Sequence, residues 1–96
     1  MESSIRDIYA FRQIDELLGT AGQPTPDQFR LVAMHGYRFV INLALPTSDH
    51  ALASEGSIVA GLGMGYVHIP VAFDSPQRTD YDTFVALMAA LWPQKV

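Results

Sequence analysis

Apolar and polar positions divide the chain into segments with distinct periods. Phe29, Val32 and Ala33 recur at helical spacing between a strong start and a strong stop. The start is Thr25-Pro26-Asp27-Gln28, with a capping hydroxyl, proline in the first helical position, an acid in the first turn and glutamine where a capping box needs it. The stop is Gly36, the residue type that most readily takes the left-handed conformation ending a helix. Phe39-Val40-Ile41-Asn42-Leu43 then breaks the helical period. A near-continuous apolar run bounded by turn signals predicts a strand buried on both faces, as in parallel sheets.

The pattern then repeats in outline. A loop at Pro46-Thr47-Ser48-Asp49 precedes a helix expected over roughly 50–62, weakened by about 1 kcal/mol at its interior Gly56 relative to alanine. Gly63 and Gly65 close it and lead into a strand over 66–71. A third helix is expected over 79–91, capped by Thr79 or Asp80, burying Phe84, Leu87, Met88 and Leu91 and stopped by Pro93. Before the first helix, 13–15 and 17–21 read as two short extended pieces around a turn at Asp15-Glu16. Residues 1–12 carry no periodicity and read as a short helix or an arm preceding a domain over 13–96. Alternating strands and helices with short links predict an α/β fold, a parallel sheet flanked by helices.

Composition narrows the function classes. Ninety-six residues with 49% hydrophobic and 17% charged content make one globular domain near the lower size limit for a self-sufficient core. Ten acids against six bases leave a net charge of -4, which argues against nucleic acid or an anionic membrane as partner. There is no cysteine, hence no disulfide, no thiolate nucleophile and no thiolate metal site. His35, His50 and His68 lack metal-ligand spacing, and no cofactor is expected. The amino terminus lacks a basic segment followed by an apolar run, and the long uncharged stretch over 56–72 is broken by glycine and proline. A cytoplasmic protein is the expectation.

Three ordered motifs carry a family likeness: Thr20-Ala21-Gly22-Gln23-Pro24-Thr25-Pro26, Gly36-Tyr37 with Val40-Ile41-Asn42-Leu43, and Tyr66-Val67-His68-Ile69-Pro70-Val71. Together they resemble the bacterial tyrosine-phosphatase-like family, whose domain also occurs fused to metallo-β-lactamase-type hydrolases. The resemblance covers roughly residues 10–96. It implies that the strand after the third helix leads into a His-Cys-x-x-x-x-x-Arg loop. There the cysteine attacks phosphorus, backbone N–H groups and the arginine hold the phosphate, and an upstream aspartate protonates the leaving group. Val96 matches the first residue of that strand, so the nucleophile and the arginine have no counterpart in this chain. Ala44 stands where the family often has an arginine.

The implied protein is the amino-terminal part of a cysteine-dependent phosphatase, incomplete before its catalytic strand and loop and inactive by itself. Its substrate in the full-length form would be a phosphate monoester or phosphotyrosine. The alternative is a non-catalytic binding or assembly module that uses exposed strand edges. An independent small α/β ligand-binding domain is a third reading. An unpaired central position in a sheet costs several buried hydrogen bonds, at roughly 1–3 kcal/mol each. Homo-oligomerisation through strand exchange or edge pairing, marginal stability, or a chain longer than these residues is therefore expected.

Asp74 is the candidate catalytic residue. By resemblance it is the general acid, at a strand's carboxyl end in Phe73-Asp74-Ser75-Pro76; by turn chemistry it stabilises a loop through side-chain-to-backbone bonds. Both readings stand. His68, inside a strand, reads as structural, His35 as a residue favouring a helix C-terminus, and Asp80 and Asp82 as charges compensating a helix dipole. Gly61-Leu62-Gly63-Met64-Gly65 follows a helix and precedes a strand, the reverse of a dinucleotide site. Ser54, Ser57 and Ser75 have no nucleophile-elbow context.

Overall fold

The computed structural model describes residues 4–48 and 51–96. Its best-specified element is the one with the strongest sequence signals, helix α1 over Pro26–Met34. The Gln28 N–H donates to the Thr25 hydroxyl at 3.2 Å, and the Thr25 N–H donates to the Gln28 side chain at 2.9 Å. This reciprocal pair satisfies donors that a helix start otherwise leaves without partners. Gly36 takes φ 87° just beyond the helix, where a side chain would be strained. Phe29, 1% exposed, points from α1 into a core shared with Ile5, Ile8, Tyr37, Val59 and Met64. Ile5 and Ile8 belong to the segment that the sequence left open between a helix and an arm. It forms a short 3-10 helix at Ile5–Asp7, capped by Ser4.

Among the described residues, four short strands make two separate pairs. Strands β1 (Arg12–Gln13) and β2 (Gly19–Thr20) pair antiparallel, and β3 (Phe39–Asn42) and β4 (Gly65–His68) pair parallel. Between β3 and β4 lies α2 (Glu55–Gly61), and after β4 comes α3 (Arg78–Leu91). The fold is thus mixed α/β, with a small parallel sheet, an antiparallel hairpin and helices. No helix among the described residues is long and apolar enough to cross a membrane.

Four expectations are corrected. Strand β3 is half-buried throughout and Leu43 after it is exposed, so the run is not buried on both faces; among the described residues β3 pairs along its length with β4 alone. Helix α2 starts at Glu55; residues 51–54 precede it outside the helix, and position 50 lies outside the described residues. Strand β4 ends at His68, although Ile69 and Val71 still donate to the carbonyls of Asn42 and Leu43 at 2.8 and 3.0 Å. Helix α3 is capped at Gln77, whose N–H donates to the Asp80 carboxylate at 3.1 Å, and it fully buries none of Phe84, Leu87, Met88 or Leu91.

The end of the described chain lies between the two strand pairs. The Val96 N–H donates to the Leu17 carbonyl at 2.8 Å, and the Gly19 N–H donates to the Val96 carbonyl at 2.9 Å. Bonds to the residues on either side of one partner are the pattern of a parallel ladder. On the opposite side the Arg38 N–H donates to the Lys95 carbonyl at 2.7 Å. Lys95 and Val96 therefore lie between the 17–19 segment and the start of β3, running in the direction of the former. The Lys95 ammonium fixes this position: it donates to the His35 carbonyl at 2.7 Å and sits 4.4 Å from the centre of the Tyr37 ring.

Candidate functional site

Beyond Val96 the two strand pairs bound a cavity of about 510 Å³. Leu18, Gly19, Thr20 and Ala21 line it from the β2 side, and residues 39–44 from the β3 side. Phe29 and Val32 of α1, Phe73 and Phe84 add apolar walls. In open α/β sheets, ligands gather at the carboxyl ends of parallel strands, and that end of this cavity is polar.

Three lining side chains, Gln23, Asn42 and Glu55, make up the polar end, and Tyr66 backs them through Asn42. Glu55, the first residue of α2, is only 4% exposed. Its carboxylate accepts from the Gln23 amide at 2.7 Å, a contact spanning 32 positions of sequence. The Asn42 amide donates to the Tyr66 hydroxyl at 3.0 Å, while its carbonyl oxygen accepts from the Ala44 N–H at 3.0 Å and turns the chain out of β3. Burial raises the Tyr66 pKa above its ordinary value of 10.0; the Asn42 bond opposes this, and the charge and hydrogen bond of Glu55 add to it. Glu55 also borders a second, smaller cavity of about 220 Å³, lined by Asn42, Tyr66 and His68.

Asp74 lies exposed in the turn that leads from β4 to α3. That turn is closed by its backbone, the Ser75 N–H donating to the Ala72 carbonyl at 3.0 Å. The neighbouring Phe73 lines the large cavity, so the loop carrying Asp74 borders it. The other candidates fall elsewhere. His68 is exposed and its Nε2 lies 2.6 Å from the Ala44 carbonyl oxygen; His35 lies at the end of α1 with Nδ1 2.9 Å from the Leu31 carbonyl oxygen. Asp80 closes the α3 cap, and Asp82 pairs with Arg78 at 3.2 Å one turn away. His50 is outside the described residues.

Sequence reasoning missed Glu55, Tyr66 and Asn42. Only Asn42 carried a signal, as the single polar residue in an apolar strand and near its carboxyl end. An acid in a helix's first turn, such as Glu55, ordinarily reads as a solvated dipole charge, and nothing local says that Gln23 will cover it.

No family model and no curated protein matches the sequence. Solved structures do. The chain superimposes on a protein from Shewanella putrefaciens CN-32 described as "Putative phosphatase (DUF442)" with a TM-score of 0.92 and 35% identity, over 96% of this chain. A second structure under the same description gives a TM-score of 0.91. The fold is phosphatase-like. A protein from Neisseria meningitidis Z2491, described as a "putative phosphatase", shares that fold with a TM-score of 0.69 and 23% identity over 80% of this chain. The chain spans 61% of the length of the first Shewanella chain and 57% of the Neisseria chain.

Proposed function

We propose that the chain is the amino-terminal portion of a cysteine-dependent phosphatase domain. Its substrate class in the complete domain is phosphate monoesters, phosphotyrosine among them. The observation that carries this reading is the overlap with the Shewanella protein, at 35% identity across nearly the whole chain. The geometry adds a chemical reason, since the loop bearing Asp74 borders a cavity between strands. The 96 residues include no cysteine, so the nucleophile and the phosphate-binding arginine belong to sequence outside them. Asp74 is the general acid in this proposal: an exposed carboxyl on a loop can deliver a proton to a leaving oxygen and recover it from water.

A chimera tests the proposal. The part of the Shewanella relative beyond the matched region is joined after Val96, and hydrolysis of p-nitrophenyl phosphate is compared with that of the 96-residue chain. Turnover is expected from the chimera and none from the chain. Asp74→Asn in the chimera is expected to lower kcat by about 10²–10⁴-fold, most with a poor leaving group such as phenol, and to flatten the basic limb of the pH profile. A chimera that melts cooperatively but shows neither burst nor turnover overturns the phosphatase reading. An active chimera that hydrolyses phenyl phosphate equally well as Asp74→Asn removes Asp74 from the role.

A further inference from the structure

The smaller cavity lies away from Lys95 and Val96. It sits at the carboxyl ends of β3 and β4, whose last residues, Asn42 and His68, both line it. Lys95 meets the chain at Arg38, before the other end of β3. Leu45, Pro46 and Leu52 add apolar walls, and the first turn of α2 supplies Glu55 and Gly56. That turn packs closely on the Tyr66 ring: a Cβ at Gly56 would lie 3.2 Å from it, so glycine lets helix and ring meet. At about 220 Å³ the cavity has room for roughly seven water-sized groups, a water in the liquid taking about 30 Å³.

The hydrogen bonds of its polar wall leave an excess of acceptors. The Asn42 amide gives one hydrogen to the Tyr66 hydroxyl, and its oxygen is taken by the Ala44 N–H. The Tyr66 hydroxyl donates in turn to Glu55, which leaves a lone pair on its own oxygen. The Glu55 carboxylate accepts from Gln23 and Tyr66 and, with about four lone-pair sites, can accept more. The Ala44 carbonyl can only accept, so His68 carries its hydrogen on Nε2, and the neutral ring keeps Nδ1 as an acceptor. Against these stands one spare hydrogen, the second on the Asn42 amide. No lysine or arginine is among the described residues that line the cavity, and among the described residues no base pairs with Glu55. A buried carboxylate without a countercharge is costly, and an anion beside it would raise that cost. An alkylammonium brings the opposite charge, three donors and no acceptor. We infer that this cavity is a binding site for a small primary amine, its ammonium held by Glu55 and Tyr66 and its short alkyl stem by Leu45, Pro46 and Leu52. The inference stands whether or not the phosphatase reading does.

The test titrates the 96-residue chain with n-butylamine, 1-butanol and butyrate at one ionic strength, following backbone amide shifts by NMR. Butylamine is expected to move the amides of Glu55, Gly56 and Tyr66 saturably, with a Kd on the order of millimolar, as suits a ligand of so few atoms. Butanol has the same stem without the charge and is expected to bind at least about tenfold more weakly, the usual worth of a hydrogen bond to a charged group. Butyrate is expected not to bind. Glu55→Gln keeps the shape of the wall and is expected to abolish the preference for amine over alcohol. Equal binding of amine and alcohol overturns the inference, since the cavity is then an apolar hole. Failure of butylamine to saturate by about ten times the expected Kd overturns it as well. Shifts confined to the exposed acids of α3, Asp80 and Asp82, mark surface ion pairing and also overturn it. A Glu55→Gln chain that folds and keeps the full preference has the same consequence. If that variant does not fold, the comparison of amine with alcohol on the unaltered chain still decides.

Discussion

A carboxylate as inaccessible as Glu55 is tolerable only with hydrogen bonds to replace water, and Gln23 and the neighbouring Tyr66 supply that environment. The same burial sets how the protein responds to alkali. Desolvation raises the pKa of Tyr37, and leads the causes that raise that of Tyr66, above the ordinary 10.0. An unfolded chain begins to lose these protons near pH 10 while the folded one keeps them. Stability is therefore fully present below pH 10 and falls as the pH rises above it. Tyr37→Phe is expected to make the decline in Tm between pH 9 and 11.5 shallower, measured by circular dichroism; an unchanged decline would clear Tyr37 of the effect. Lys95 acts at the opposite end of the cavity, as a cation at the C-terminus of α1 and against the Tyr37 ring. Lys95→Ala is expected to cost about 1 kcal/mol in urea denaturation, the usual worth of such contacts. Neither the buried carboxylate nor this lysine was legible in the sequence. Both depend on contacts between segments 32 and 60 residues apart, and no local period records them.

At the scale of elements, legibility follows how local the deciding forces are. The α1 box and stop involve residues within a few positions of one another, and they formed as read. The hairpin of β1 and β2 also lies close to the expected extended pieces. Helix α3 shows the limit of pattern. Its apolar spacing says which side chains seek burial, but the surface that receives them comes from elsewhere in space, and here Phe84 faces a cavity. A 14-residue helix with no fully buried residue must rely largely on its own hydrogen bonds, and isolated helices of that length are marginal in water. Amides of α3 are thus expected to exchange with deuterium at least tenfold faster than those of α1, which Phe29 ties to the core. Equal protection of α1 and α3 by mass spectrometry would contradict this. Gly65 marks a tight approach of the parallel strands. A Cβ there would meet the Phe39 ring at 2.5 Å. Gly65→Ala is expected to destabilise by about 1–3 kcal/mol, as overpacking does, although alanine suits a strand better than glycine.

For the whole molecule, the two strand pairs and α3 border one largely apolar cavity, into which Lys95 and Val96 lead. Domains of this size have only about 5–15 kcal/mol of net stability, so a loosely held helix is a large fraction of the total. In the proposed domain the sequence after Val96 fills the cavity, covers Phe84 and draws α3 into the cooperative unit. Each kcal/mol moves the Tm of a small domain by several degrees, roughly 4–8 °C at 60–100 residues. The chimera that carries the remaining sequence of the Shewanella relative after Val96 is therefore expected to melt at least ~10 °C above the 96-residue chain, in a sharper transition. Scanning calorimetry checks this: equal Tm values for the two would mean that the two strand pairs are held together without a strand between them.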